Sequence, residues 1–344
     1  MNVLSLFDGM SCGRIALERL GIPVDNYYAS EIDKYAIQVS QANYPDIIQV
    51  GDVTELDTST LPKIDLIMGG SPCQGFSFAG KQLAFDDSRS ALFFEFVRCV
   101  KELQPKYFLL ENVRMKKEYL DVISEYMGVE PIMINSALVS AQNRVRFYWT
   151  NIPGIEQPEQ IGIVLRDILE TQTNEKPVKD TERNQRHYRN DDEKSLCMTA
   201  TMYKGAGNNG MTLVQQKPLQ TIFVDKEKKQ LTIKEATKKG YTTIEDGDCF
   251  DMTFPNSKTR RGRNMKDKSN CLTAANYDYM RYEHSDEDKE VYWRKLTPVE
   301  CERLQTVPDN YTNHVSNTQR YKMLGNGWTI EVITHILKNM ELPK

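Results

Sequence analysis

The stretch Asn2-Val3-Leu4-Ser5-Leu6-Phe7-Asp8-Gly9-Met10-Ser11-Cys12-Gly13-Arg14-Ile15-Ala16-Leu17-Glu18-Arg19-Leu20-Gly21 decides the architecture. Its first residues form an apolar run of strand length. Gly9 and Gly13 break that run, and Ala16, Leu17 and Leu20 then recur at helical spacing until Gly21 stops them. Strand, glycine loop and helix open a βαβ unit, and the pattern continues outward from it. A second strand runs through Tyr27 to Ile32. Ile64 to Met68 and Tyr107 to Leu110 read as buried strands, with a helix from Leu92 to Val100 between them; Ile132 to Ile134 and Val145 to Trp149 follow. The first half therefore predicts an α/β fold, a doubly wound and mostly parallel sheet.

At 344 residues, against a usual ~100–200 per domain, the chain has room for about two domains. Beyond residue 170 charged and polar residues crowd in, helical periodicity fades, and short Thr-rich pieces are separated by Gly and Asn. Pattern returns in Leu296 to Leu304 and in an amphipathic helix from Ile330 to Leu337. The expected division is a domain over 1–165, completed by 315–344, with a smaller irregular domain over 166–314 inserted. That insert holds an internal echo, KSLCMTATMY at 194–203 against KSNCLTAANY at 268–277. It also holds a basic run of Lys258, Arg260, Arg261, Arg263, Lys266 and Lys268, opposed only by Asp267. The run would either follow phosphates or be a solvated loop.

Seven scattered cysteines without a C-x-x-C pair argue against a disulfide framework and a zinc site, so no metal is expected. There is no apolar run of the ~18 residues a bilayer needs, and no secretory leader pattern. A cytoplasmic protein with free thiols is the expectation. A net charge of −4 makes any nucleic-acid surface local.

Chemistry concentrates at strand ends. The loop at 7–13 lets backbone N–H groups approach a ligand, although the third glycine of a dinucleotide fingerprint is missing. Glu31 ends the next strand, where nucleotide-binding folds place a carboxylate for ribose hydroxyls, and Asp52-Val53 lies beyond the strand after it. Ser71-Pro72-Cys73-Gln74-Gly75-Phe76-Ser77 follows a buried strand and offers a thiol at the same sheet edge, whereas Cys99 reads as a core residue. Glu111-Asn112-Val113 ends a neighbouring strand. In Gln142-Asn143-Arg144-Val145-Arg146, one arginine is expected to reach this crevice, Arg144 before Arg146, while the other faces away.

These blocks, with RKLTPVECERLQ at 294–305 and GNGW at 325–328, stand in the order of the cytosine-C5 DNA methyltransferases, which the chain resembles over nearly its whole length outside about 165–290. PIMINSALVSAQNRVRFYWTNIPG (131–154) and VSNTQRYKMLGNGWTIEVI (315–333) look most like the catalytic domain of the de novo group, here in a single chain of prokaryotic or phage type. Met10-Ser11-Cys12 and Trp328 depart from the commoner bacterial pattern. The resemblance implies the S-adenosylmethionine-dependent methyltransferase fold, that cofactor with S-adenosylhomocysteine as product, and a 166–314 insert that recognises the target. It implies catalytic roles for Cys73, Glu111, Arg144 and Arg146. Cofactor contacts would map to Phe7, Asp8, Gly9, Met10, Cys12, Glu31, Ile32, Asp52, Val53, Pro72, Leu92, Asn326, Gly327 and Trp328. DNA contacts would map to Gln74, Ser77, Lys258, Arg260, Arg261 and Arg263.

The function so implied is 5-methylcytosine formation in double-stranded DNA, through a covalent Cys73 adduct on a flipped-out base. The setting would be restriction-modification beside a cognate endonuclease, or an orphan or phage protective enzyme. Methylation of tRNA cytosine and a silent DNA-binding paralogue are the alternatives; retention of Cys73, Glu111 and Arg144 speaks against the second, and the missing glycine against a NAD enzyme.

Overall fold

The computed structural model describes residues 1–71, 91–170, 173, 178, 181–204, 211–216, 223–225, 230–245, 249–251, 259, 263–265, 279–281 and 292–341. Two compact units emerge, one of residues 1–214 with 293–344 and one of 215–292.

The first unit is built on strands β1 (Asn2–Leu6), β2 (Asn26–Ser30), β3 (Ile48–Gln49), β4 (Leu66–Gly69), β5 (Tyr107–Val113), β6 (Ile132–Asn135) and β7 (Val145–Thr150). Their order is β3-β2-β1-β4-β5-β7-β6. The first five run parallel, and β7 lies antiparallel between β5 and β6. Chain order reverses between β1 and β4, so a crevice opens at the carboxyl ends of those strands, where α/β sheets bind ligands. The doubly wound, mostly parallel sheet is thus the observed fold.

Helices α1 (Cys12–Arg19), α2 (Lys34–Asn43), α3 (Ala91–Leu103) and α4 (Lys117–Met127) supply the crossovers. Side chains alternate across the sheet. Val3, Leu66, Met68 and Leu109 enter one core with Ala16 and Leu17 of α1, while Leu4, Leu6, Ile67, Phe108 and Leu110 enter the other with Phe93, Phe96 and Cys99 of α3. After a short α5 (Glu182–Gln185), the chain ends in α6 (Pro298–Leu304), α7 (Asn317–Asn326) and α8 (Ile330–Leu337). Ile330, Val332, Ile333, Ile336 and Leu337 of α8 are fully buried, each adding about 1.5–3 kcal/mol, and α8 packs on α1.

The block around α6 has a structural explanation. Thr297 and Glu300 form a capping box with Pro298 in the first turn. Glu300, wholly buried, also takes a two-pronged ion pair from Arg294 (2.8 and 2.7 Å), and Glu302 accepts from Arg320 at 2.9 Å.

The expected boundaries fall inside the first unit instead of at its edges. Residues 181–204 belong to it because the first echo segment bonds to the chain just before β7: Ser195 N–H donates to the Ala141 carbonyl (2.7 Å) and Asn143 N–H to the Ser195 carbonyl (3.1 Å). Met198 and Met202 are buried, so this segment is a wall of the large unit and not a free reading loop. The second echo lies outside the described residues.

The second unit contains two antiparallel sheets. One is β10 (Phe223–Asp225), β11 (Gln230–Lys234) and β12 (Tyr241–Ile244); the other is β13 (Cys249–Asp251) between β14 (Asn264–Met265) and β15 (Tyr279–Arg281). In the first unit, β8 (Tyr188–Arg189) pairs in parallel with the start of β9 (Leu213–Gln216). Arg263, expected at a DNA phosphate, is instead 1% exposed, and its guanidinium donates to the Lys234 carbonyl (3.0 Å). Its neighbours in the basic run, Lys258, Arg260 and Arg261, lie outside the described residues. No helix among those described is long and apolar enough to cross a membrane.

Candidate active site

The β1–α1 loop is held in an unusual conformation. Phe7, Gly9 and Ser11 all have φ near +60°, a left-handed geometry that is unfavourable for the two non-glycine residues by about 1–2 kcal/mol each. Surrounding hydrogen bonds enforce it. Asp8 N–H donates to the Ser30 carbonyl (3.1 Å) and Gly9 N–H to Glu31 Oε2 (2.7 Å). Glu31 Oε1 accepts from Ile32 and Asp33 N–H (2.7 and 2.8 Å). The Glu31 carboxylate is therefore oriented by three backbone donors, with lone pairs left for a further donor.

Asp8 is buried and accepts from Tyr27 (2.8 Å) and from Ser11, which shares a hydrogen bond with Ser40. Burial pushes the Asp8 carboxyl up to about 6, outweighing the hydrogen bonds from Ser11, Ser5 and Tyr27 that pull it down. Burial and the neighbouring Asp8 likewise lift the Tyr27 phenol well above its ordinary value.

Across the crevice, β4 ends in Gly69-Gly70. A Cβ on Gly70 would stand 2.9 Å from Glu111 Oε2 and 3.0 Å from Trp328 Nε1, so any larger residue there would push on these two side chains at the strand end. Glu111 Oε1 pairs with Arg146 Nε at 2.8 Å, and both side chains are largely buried. Burial draws Arg146 down, but the Glu111 charge holds it above the usual guanidinium value. Asn112 reaches back to Ser71 Oγ at 3.3 Å.

Arg144 behaves otherwise than expected. Its guanidinium donates to the carbonyls of Met198 (3.0 Å), Gly325 (3.2 Å) and Gly327 (2.8 Å) and to Cys197 Sγ (3.7 Å). It clamps backbone, and Arg146 is the arginine that meets Glu111. The two are also not split between faces, because positions two apart in extended chain point the same way, and both border the cavity.

That cavity holds about 550 Å³. Phe7, Asp8, Gly9, Met10, Cys12, Glu31, Ile32, Asp52, Val53, Leu92, Glu111, Arg144, Arg146, Asn326, Gly327 and Trp328 all line it. Pro72, Cys73, Gln74 and Ser77 lie outside the described residues. Ser71 and Gly325, which stand in the quoted SPCQGFS and GNGW blocks, also line it, as do Gly70, Asp33, Gln319, Lys322 and Met323, to which sequence reasoning gave no site role. Of those five, only Gly70 carried a signal, its position between a buried strand and the PCQGFS loop. The ion pair of Lys322 with the α2 cap Asp33 (2.7 Å) joins segments nearly three hundred residues apart and left no local trace.

The sequence model of the C-5 cytosine-specific DNA methylases matches residues 1–342. The chain belongs to that family. This methylase is 29% identical over 351 residues to the type II methyltransferase M1.ScrFI of Lactococcus lactis subsp. cremoris, covering 98% of this chain and 77% of the relative. To the orphan methyltransferase M.SPRI of Bacillus phage SPR it is 26% identical, covering 99% and 97%. Among solved structures, a mutant DNMT2 of Spodoptera frugiperda superposes with a TM-score of 0.64 at 20% identity over 98% of both chains, a likeness of fold. The methylase is an enzyme, a DNA (cytosine-5-)-methyltransferase.

Proposed function

We propose that this methylase holds S-adenosylmethionine in the 550 Å³ cavity and methylates C5 of a cytosine flipped out of double-stranded DNA. The donor set fits that cofactor. Glu31, oriented by three N–H groups, suits ribose hydroxyls, and Ile32, 74% exposed at the cavity, offers an apolar face of the kind a purine covers. When bound, S-adenosylmethionine supplies an electrophilic methyl group.

The observation that carries the reading is the Glu111–Arg146 pair at the cavity wall. Cytosine C5 is a poor nucleophile. The Cys73 thiolate, placed by sequence alone, would bond to C6 while N3 takes a proton from the Glu111 side, so that charge does not build up on the ring and C5 becomes enamine-like. Arg146 fixes the Glu111 carboxyl and sets positive charge beside the base. After methylation, loss of the C5 proton and breaking of the C6–S bond return Cys73 and the unmodified protein. Arg144, bound to three carbonyls, would position the wall and not the base.

The second unit, residues 215–292, would supply target recognition, with Lys258, Arg260 and Arg261 on phosphates. Whole-chain likeness to type II and orphan enzymes supports DNA over tRNA as substrate, and serves a restriction-modification or a self-protective role. Bisulfite sequencing of DNA from an expressing host tests the reaction: protected cytosines in one sequence context are expected, and a fully converted genome would reject it.

A further inference from the structure

We infer that Gln305 is a positioning residue that fixes the cofactor-facing segment 324–329, an inference that rests on the cofactor reading of the cavity. Gln305 follows α6, is wholly buried, and belongs to no assigned site. A buried amide is unfavourable unless its bonds are made, and a leucine would fill the volume without that demand. Gln305 makes them all. Nε2 donates to the carbonyls of Leu324 (2.7 Å) and Gly327 (3.0 Å). Oε1 accepts from Thr329 Oγ1 (2.8 Å) and from Gln142 Nε2 (3.3 Å). Its backbone carbonyl accepts from Ile330 N–H at 2.9 Å.

Three of these partners lie in one short segment, the turn from α7 into α8 that contributes Gly325, Asn326, Gly327 and Trp328 to the cavity. The turn has no slack. A Cβ on Gly325 would meet the Thr199 backbone at 2.3 Å, and one on Gly327 would meet Met10 Cε at 3.0 Å. Arg144 also holds the Gly325 and Gly327 carbonyls. Gln305 and Arg144 together hold three consecutive-turn carbonyls at fixed depth, and the facing groups of the β1–α1 loop are set against them. The consequence belongs to cofactor affinity more than to DNA affinity, because three of the four amide bonds end in the segment 324–329 that carries the wall residues Gly325 to Trp328.

The test compares wild type with Q305L, T329V and T329S. T329V removes only the hydroxyl that links Gln305 to Ser136, and T329S retains it. Calorimetric titration with S-adenosylhomocysteine, and DNA binding without cofactor, are measured well below the melting temperature. Q305L should weaken S-adenosylhomocysteine about tenfold or more and T329V about threefold, T329S should match wild type, and DNA affinity should stay within twofold throughout. If Q305L fails to fold, T329V against T329S decides. Unchanged cofactor affinity in T329V and in folded Q305L, with only a lowered melting temperature, would overturn the inference. A parallel loss of DNA affinity would also overturn it. Failure of wild type to bind S-adenosylhomocysteine would reject the cofactor reading itself.

Discussion

Asp8 offers a quantitative prediction. Burial raises its carboxyl from the ordinary 3.8 to about 6, which at about 1.4 kcal/mol per pH unit is a charge penalty of ~3 kcal/mol in the folded state. The sign follows from proton counting. Between pH 4 and 6 the folded chain binds the proton more tightly than the unfolded chain, so stability falls as pH rises through that window and then levels off. Asp8→Asn stays neutral at every pH and serves as reference, so global titration of the other acids cancels. The stability of wild type minus that of Asp8→Asn should fall by about 2.4 kcal/mol from pH 4 to pH 7, most of the full ~3 kcal/mol, read as a shift of several degrees in melting temperature. Because Asp8 lines the cavity, a cationic methyl donor should draw it toward the charged form and release protons on binding near pH 6. Calorimetry in two buffers of different ionisation enthalpy measures that release. A difference between the two proteins that is flat from pH 4 to 7 would refute the reasoning.

Arg146→Met should leave the Glu111 carboxyl buried without its partner, destabilise by about 3–5 kcal/mol, and lower turnover at least a hundredfold with S-adenosylhomocysteine affinity retained; Arg144→Met should weaken that affinity. Stability curves, kcat and calorimetry distinguish the two. Neutralising Arg260 and Arg261 should lower the salt slope of DNA binding by about two units, one per phosphate contact, whereas Arg263→Ala should melt the second unit because that guanidinium is buried on the Lys234 carbonyl. Titrations at several salt concentrations and a thermal melt separate those outcomes.

Elements with strong local pattern were legible from the residues. The β1 loop and α1, the buried strands β4 and β5, and α8 came out where apolar spacing and glycine stops put them. Helices α2 and α7 were not, since α2 buries only Ala36, Val39 and Ser40, and the buried positions of α7 include Arg320 and Gly325 among its apolar residues. The first compact unit extends past the expected boundary near 165 for a related reason. Residues 181–204 join the large unit through backbone bridges to Ala141 and Asn143 and through methionines at irregular spacing, and neither produces a periodic signal. Cavity residues at strand ends were readable, because topology alone brings them together. Partner choice was not: that Arg146 and not Arg144 meets Glu111 depends on where β5 and β7 pair, and the burial of Arg263, just before β14, depends on Lys234 in β11 of the other sheet.

The central claim is that Cys73 bonds to cytosine C6, and a trapped complex tests it most directly. A DNA duplex with 5-fluorocytosine at the target cannot lose a proton from C5 after methylation, so elimination is blocked and the protein stays attached. With S-adenosylmethionine present, a complex surviving denaturing electrophoresis should form, and Cys73→Ser should abolish it, since a thiol with pKa ~8.5 is a few per cent thiolate near neutral pH whereas a serine hydroxyl is scarcely ionised. Three of the other thiols are poor substitutes: burial pushes Cys12 up to about 12 and Cys99 up to about 11, and lifts Cys301 well above its ordinary value. Mass spectrometry should place the cross-link on Cys73; a cross-link on any other cysteine, or none at all with methylation intact, would contradict the account.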